Sequence, residues 1–475
     1  MDHAASYAPE PISTYSEHVL RDLRSIDYPA KAWMRSHTDP TEGNILDVLI
    51  IGGGQCGLGI GFGLMREKVD NILVIDENPA GQEGPWITYA RMVTLRTPKH
   101  LTSIDYGIPS LTFRSWWEAQ YGETGWEELG KIPREAWMRY LRWYRDTLSI
   151  PVRNQTKARL IESLGRERFR VQVTDTRTGE DSVLLARKIV LATGIQGGGV
   201  WHTPPIMGEL SKKYYAHTSE MIDYNALAGK KIGILGGGAS AFDNAHYALG
   251  RGVKEAHVFI RRAELPRINP IRFMENSGFI GHFSDLDDAT KYAAIDHFLN
   301  FNQPPTNDTF QRAKAHAGFT LHKAEPWQSV REVANGVEVV TPQGRYVFDF
   351  LVLSTGLLTD SRLRPELALL ADDIACWRDR YTPPKKQNQL IDDHPYLGAD
   401  FRFLPKTPQA EDKIYGLFNF NYAALASQGL SASALSGFKY AAPKLVYGLV
   451  SQLFTDDAKA ILADYYAYAE EEFTG

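Results

Sequence analysis

Residues Ile45–Gly57 read ILDVLIIGGGQCG. Seven almost uniformly apolar residues, Ile45 to Ile51, have the pattern of a strand buried on both faces. The run stops abruptly at Gly52-Gly53-Gly54-Gln55-Cys56-Gly57, and a helix is expected from there to about Lys68. Asn71–Asp76 (NILVID) then repeats the buried-strand pattern and ends in an acid. Strand, glycine turn, helix and strand within roughly 30 residues make one βαβ unit of a parallel sheet.

The same order recurs downstream. Lys231–Leu235 (KIGIL) leads into Gly236-Gly237-Gly238-Ala239-Ser240-Ala241, a helix is expected to about Gly250, and Ala256–Ile260 ends at Arg261-Arg262. Two matching strand ends, IVLATG at Ile189–Gly194 and FLVLSTG at Phe350–Gly356, each follow a hairpin-like stretch of β-formers. The expected fold is therefore α/β, with two Rossmann-like dinucleotide-binding domains, the second inserted into a discontinuous first. The expected divisions are an N-terminal extension over 1–44, the first domain over 45–204, the insert over 205–345, and the rest of the first domain with C-terminal helices over 346–475. The extension carries a short amphipathic stretch near Tyr15–Ile26 expected to pack on the first domain.

Composition narrows the function classes. The chain has 475 residues, enough for several domains and a large core. Fifty-two Lys and Arg against 57 Asp and Glu give a net charge of −5, without the basic excess that nucleic-acid binding needs. Cys56 and Cys376 are the only cysteines and stand 320 positions apart, which rules out a CxxC pair and a disulfide framework, and a reducing cytoplasm fits. No secretory signal or membrane span is expected. No metal-ligand cluster and no Ser-His-Asp set can be assembled from spacing, and a homo-oligomer is left open.

The chemistry lies in the glycine turns. Gly52, Gly54 and Gly57 match GxGxxG: one glycine makes the turn, one lets backbone approach a pyrophosphate, and one lets helix pack on strand. With Gln55 in the same turn, a pyrophosphate would meet free N–H groups at the helix start. Asp76, 24 residues after Gly52, stands where a carboxylate accepts hydrogen bonds from an adenosine ribose, with Glu77 as the fallback. Gly236, Gly238 and Ala241 form the GxGxxA variant, and Ser240 could bind a phosphate or cap the helix. Here the acid gives way to Arg261 and Arg262, a charge reversal that suits a 2′-phosphate and favours NADPH over NADH. The economical pairing is a tightly held flavin in the first turn and a transient nicotinamide in the second.

These features, with the strand ends Thr193-Gly194 and Thr355-Gly356 and with Gly84-Pro85-Trp86, resemble the class B flavin-dependent monooxygenases, a group of two-dinucleotide flavoproteins, over about residues 45 to 450. The resemblance implies FAD and NADPH as cofactors and O2 activated as a flavin C4a-hydroperoxide. The product would be an oxygenated small amine, sulfide or carbonyl compound. Trp86 stands where the family's Gly-Gly-x-Trp segment lies along the cofactor. Gln428, Gly429 and Leu430 look like the family's last helix start, whose amides face the flavin.

The family's His signature survives only at His217, and its Asn after the Gly-x-Trp segment is replaced by a cationic loop with Arg91, Arg96, Lys99 and His100. Arg96, Lys99 and His217 are the catalytic candidates, and the loop favours an anionic substrate. Two other readings stay open: an NADPH oxidase or dehydrogenase that reduces oxygen or a quinone without oxygenation, and a nucleotide-dependent sensor, against which two intact fingerprints argue.

Overall fold

The computed structural model describes residues 11–475 except 167, 302, 385 and 474. Strand β1 (Gly43–Ile51), helix α1 (Gln55–Arg66) and strand β2 (Ile72–Ile75) form the first unit. β1 pairs in parallel with β2 on one side and with β3 (Asp181–Leu191) on the other. The first half of β3 closes an antiparallel meander with Thr156–Ser163 and Phe169–Asp175, and its last residues pair in parallel with Leu417–Asn419. The chain thus returns to the first sheet near its end. Val48, Leu49 and Ile50 are fully buried, as expected of a parallel strand covered on both faces.

Helix α1 carries four glycines, a composition that costs roughly 1 kcal/mol each against alanine. Close packing explains the choice. A Cβ on Gly59 would lie 2.2 Å from the Phe438 ring, and one on Gly63 would lie 2.2 Å from Tyr106 Oη. In the N-terminal extension, Ile12–Arg24 is a helix that buries Tyr15, Val19 and Leu23, and His37–Asp39 adds a short strand to β1.

The second unit is β4 (Lys231–Leu235), helix α2 (Ala239–Gly250) and β5 (Glu255–Phe259). Its sheet runs Phe319–His322, β5, β4, β6 (Phe350–Leu353) and Tyr215–His217, all parallel. Strand β6 therefore belongs to the second sheet, so the insert extends beyond the division expected at residue 345. The crossing point lies instead where Gly199–Trp201 pairs antiparallel with Leu357–Thr359. The physical reason is register: β6 runs alongside β4 with Leu353 opposite Leu235, placing Thr355-Gly356 beside the second glycine turn.

Sequence periodicity does not reveal a helical lobe formed by Ile271–Met274, Ser277–His282 and Asp288–Phe301. It packs Ile280, Phe283, Tyr292 and Ile295 against Trp377, Ile391, Leu425 and Leu430. The last helix, α3, runs from Phe438 to Ala467 and is clamped to the first sheet by buried charge. Arg187 donates to both Asp457 oxygens at 3.0 Å and to Asp47 at 3.2 Å, and the fully buried Lys188 donates to Asp456 at 2.7 Å. Burial pulls Lys188 down to about 8. Among the described residues no helix is long and apolar enough to cross a membrane.

Candidate functional site

At the first turn Gly52 has φ +112°, and a Cβ there would sit 2.4 Å from the Ala192 carbonyl oxygen. Only glycine tolerates both. A Cβ on Gly57 would lie 1.8 Å from Gly52 O, so helix α1 rests directly on the turn. Gly54 caps α1 without a side-chain hydrogen bond, and the nearest atom to its Cβ position is Gly84 Cα at 3.9 Å. The result is a helix start with unused N–H groups and backbone-wide clearance, which fits a pyrophosphate.

Asp76 is buried at the end of β2 and accepts from the Gly53 N–H at 2.8 Å through one oxygen, and from the Asn78 N–H and Nδ2 at 2.9 and 3.0 Å through the other. Burial raises its pKa against these hydrogen bonds. Glu77, the fallback, is exposed and pairs with Lys157 at 2.8 Å. Trp86 is buried with its ring edge against Trp137, whose Nε1 donates to Gln55 Oε1 at 3.2 Å. The first strand end is tied to the C-terminal segment by Asn421, which donates to Thr193 Oγ1 at 3.1 Å and accepts from the Ala423 N–H at 2.9 Å. Gly194 follows with φ +70°.

The second turn repeats the backbone but not the enclosure. Gly236 has φ +131°, and its Cβ would lie 2.2 Å from Ser354 O, whereas no described atom lies within 4 Å of a Cβ on Gly238. Ala241 is fully buried in the first turn of α2, and Ser240 is exposed with no capping hydrogen bond. Thr355 Oγ1 donates to the His202 carbonyl, and Gly356 has φ +79°. The two arginines separate. Arg262 donates to the Phe301 and Asn300 carbonyls at 3.3 and 3.1 Å, at the C-terminal end of the helix Asp288–Phe301. Arg261 is exposed, where a ligand phosphate can reach it.

Several expected placements change. Lys99 is spent on Trp126: its Nζ donates to the Trp126 carbonyl and lies 4.6 Å from the Trp126 ring centre. Arg96 is neutralised by Asp243 on α2, and Arg272 donates to the Arg96 carbonyl at 2.9 Å, so it links the two domains. The cationic cluster is thereby dispersed, because each long side chain finds a nearer acceptor. Arg91 alone among Arg91, Arg96 and Lys99 is nearly buried, at 7% exposure. It lies over the Tyr224 and Tyr247 rings and donates to the Thr88 and Ile222 carbonyls.

His217 ends its strand beside the linker. It accepts at Nδ1 from the Ser219 N–H at 3.2 Å and stacks on Trp201 with ring centres 4.8 Å apart. Burial lowers its pKa to about 4, with the Glu220 carboxylate opposing, so it is neutral at pH 7.

Gln428, Gly429 and Leu430 do not start a long helix. A short helix, Leu425–Gln428, ends at Gly429 with φ +64°, and α3 begins at Phe438. Gln428 instead donates from Nε2 to the Gly398 carbonyl at 2.7 Å. A side chain at Gly429 would strike the Phe283 ring at 2.9 Å, so the lobe's packing sets this break. Asn421 and Asp243 escape a reading of the sequence because their partners, Thr193 and Arg96, lie far away along the chain.

No dithiol is present among the described residues: Cys56 and Cys376 are both free, and burial pushes them up to about 12 and about 11. Nor do the described residues hold a group of three or more metal-ligating side chains.

Comparison with known proteins places this architecture. A family model for pyridine nucleotide-disulphide oxidoreductases matches residues 49–271, which include both glycine turns. An ornithine hydroxylase of Pseudomonas aeruginosa in its reduced form superposes with a TM-score of 0.68 at 17% identity, over 86% of this chain and 100% of the other. An L-lysine 6-monooxygenase of Pseudomonas syringae gives 0.64 at 17% identity, over 86% and 99%. At such identities the likeness establishes the fold. In sequence, the chain is 56% identical over 465 residues to a FAD-dependent urate hydroxylase of Xanthomonas campestris pv. campestris, covering 97% of each chain. The chain therefore belongs to that hydroxylase's family, the flavin-dependent monooxygenases, and is an oxidoreductase of that class.

Proposed function

We propose that the protein hydroxylates urate with O2 and NADPH, holding FAD at the first glycine turn and NADPH at the second. The observation that carries this reading is the 56% identity across 97% of both chains to the urate hydroxylase, with both turns intact. In net balance, urate, NADPH, O2 and a proton would give hydroxylated urate, NADP+ and water. Bound flavin supplies two-electron acceptance from the nicotinamide and activation of oxygen. The chain's own part is to bind and orient.

The first turn and Asp76 would hold the adenosine diphosphate of FAD, and Trp86 and Thr193-Gly194 would flank the flavin half. Gly236, Gly238, Ser240 and Ala241 would hold the NADPH pyrophosphate, with Thr355-Gly356 beside them and Arg261 on the 2′-phosphate. Arg91 brings a positive charge into the contact between the domains with no carboxylate bonded to it among the described residues, which favours an anionic purine over a neutral substrate. Dry aromatic surroundings strengthen any such charge interaction.

The test is stoichiometric. Urate should stimulate NADPH oxidation and disappear one for one with it. If NADPH is consumed with equal hydrogen peroxide and no loss of urate, the protein is the oxidase that the sequence also allows.

A further inference from the structure

The family's Gly-Gly-x-Trp segment has Glu83 in place of its first glycine, in Glu83-Gly84-Pro85-Trp86. The replacement is not a surface charge. Glu83 is 3% exposed and lies against the first glycine turn: a Cβ on Gly53 would be 3.3 Å from Glu83 Cγ and 3.1 Å from Asp76 Cβ. Gly53 thus lies against two buried acidic side chains.

Their hydrogen bonding is unequal. Both Asp76 oxygens are engaged, one by the Gly53 N–H and one by Asn78. On Glu83, Oε1 accepts from Asn154 Nδ2 at 2.7 Å and from Arg145 Nη1 at 3.1 Å. Oε2 is buried with no partner among the described residues. A buried carboxylate oxygen without a donor is expensive, and such groups in native structures mark a missing ligand atom or water.

The charge pattern selects the donor. Two acidic side chains, Asp76 and Glu83, lie here, and Arg145 pairs with Glu83 while also holding Asp146, so a phosphate would be repelled, and among the described residues no group of three or more metal-ligating side chains is at hand for a metal ion. A neutral hydroxyl donor remains. From this geometry we infer that Glu83 accepts a hydrogen bond through Oε2 from the adenosine ribose of the dinucleotide at the first turn, sharing the ribose hydroxyls with Asp76. The inference rests on the proposal that this turn holds FAD. Arg145 and Asn154 are positioning residues, because they fix which carboxylate oxygen is left free.

The substitution Glu83→Gln tests this without changing shape. Its amide oxygen must stay toward Asn154 and Arg145, which both donate, so its NH2 takes the place of Oε2. The readout is FAD binding to deflavinated full-length protein, followed by flavin fluorescence, using FAD and its 2′-deoxyadenosine and 3′-deoxyadenosine analogues. Glu83→Gln should weaken FAD about tenfold but weaken at least one deoxy analogue less than about twofold, because the lost partner is already absent there. Equal loss for FAD and both analogues, or no loss for any, would overturn the inference. If Glu83→Gln does not fold, Asp76→Asn serves: with Glu83 intact it should still discriminate FAD from one deoxy analogue, and complete loss of discrimination would assign both hydroxyls to Asp76 alone. Failure of the wild-type protein to bind FAD is a separate outcome that refutes the first-turn assignment itself.

Discussion

The two glycine turns share a backbone and differ in their surroundings. At the first, Gly53 is pinned by Asp76, the helix start faces Gly84, and the C-terminal segment reaches back through Asn421 to Thr193. At the second, Gly238 faces open space, Ser240 is exposed, and the cation left for a ligand is the exposed Arg261. Enclosure by segments distant in sequence lowers the rate at which a ligand leaves, whereas an open cleft permits exchange. On the proposed assignment, the same motif would serve a resident flavin where it is enclosed and a visiting nicotinamide where it is open.

The difference is tested most strongly by one glycine-to-alanine change in each turn, at the tight third position of the first and at the open second position of the second, whose own third position is already Ala241. Gly57→Ala places a Cβ 1.8 Å from Gly52 O and should cost about 3 kcal/mol of stability in urea unfolding, together with loss of bound flavin. Gly238→Ala, with nothing described within 4 Å, should change stability by less than about 0.5 kcal/mol and act on the NADPH Michaelis constant instead. Destabilisation at Gly238 as large as at Gly57 would mean that the second turn is packed at Gly238 rather than open.

Acid should act through the linker between the two domains. Burial holds His217 neutral, with a pKa near 4 against 6.5 for an ordinary histidine. Its folded pKa is depressed, so the unfolded chain binds the extra proton first. Its contribution is fully present above pH 6.5 and is lost as pH falls from there to about 4, by about 3 kcal/mol. Unfolding free energies at pH 7 and pH 4.5 should show this slope, and His217→Asn should flatten it; an unchanged slope would mean that other groups carry the acid sensitivity.

The arginines give a smaller effect. Arg261→Ala should raise the Michaelis constant for NADPH roughly tenfold while leaving that for NADH unchanged, as expected for loss of a charge-assisted phosphate contact. Arg262→Ala, whose guanidinium is spent on helix-end carbonyls, should change either by less than about twofold. An effect close in size to that of Arg261 is expected at the domain contact. Arg96→Ala should cost about 1 kcal/mol, because that side chain is about one-third exposed and water screens its pairing with Asp243.

How much the sequence reveals follows from contact range. Both turns are legible because strand, glycines and helix are local, and steric demands at Gly52, Gly57 and Gly236 leave no other residue type. The α/β architecture follows from two apolar strand runs and their order. The fate of the long cations is not legible: Lys99 meets Trp126, Arg96 meets Asp243 and Arg262 meets Phe301, each set by tertiary packing rather than spacing. The division near residue 345 falls short because β6 follows a hairpin that periodicity cannot assign to either sheet. Glu83 is visible as a departure from Gly-Gly-x-Trp, but its meaning depends on Asn154 and Arg145, which meet it only in the fold.

On the proposed function, the enclosed turn and the open turn together deliver electrons to oxygen so that one atom enters urate. The direct measurement is turnover of purified holoenzyme with NADPH, urate and 18O2, followed by mass spectrometry of the product before it can exchange with water. The predicted result is one 18O per product molecule, formed one for one with NADP+. Product carrying only solvent oxygen, or labelled peroxide with urate intact, would contradict it.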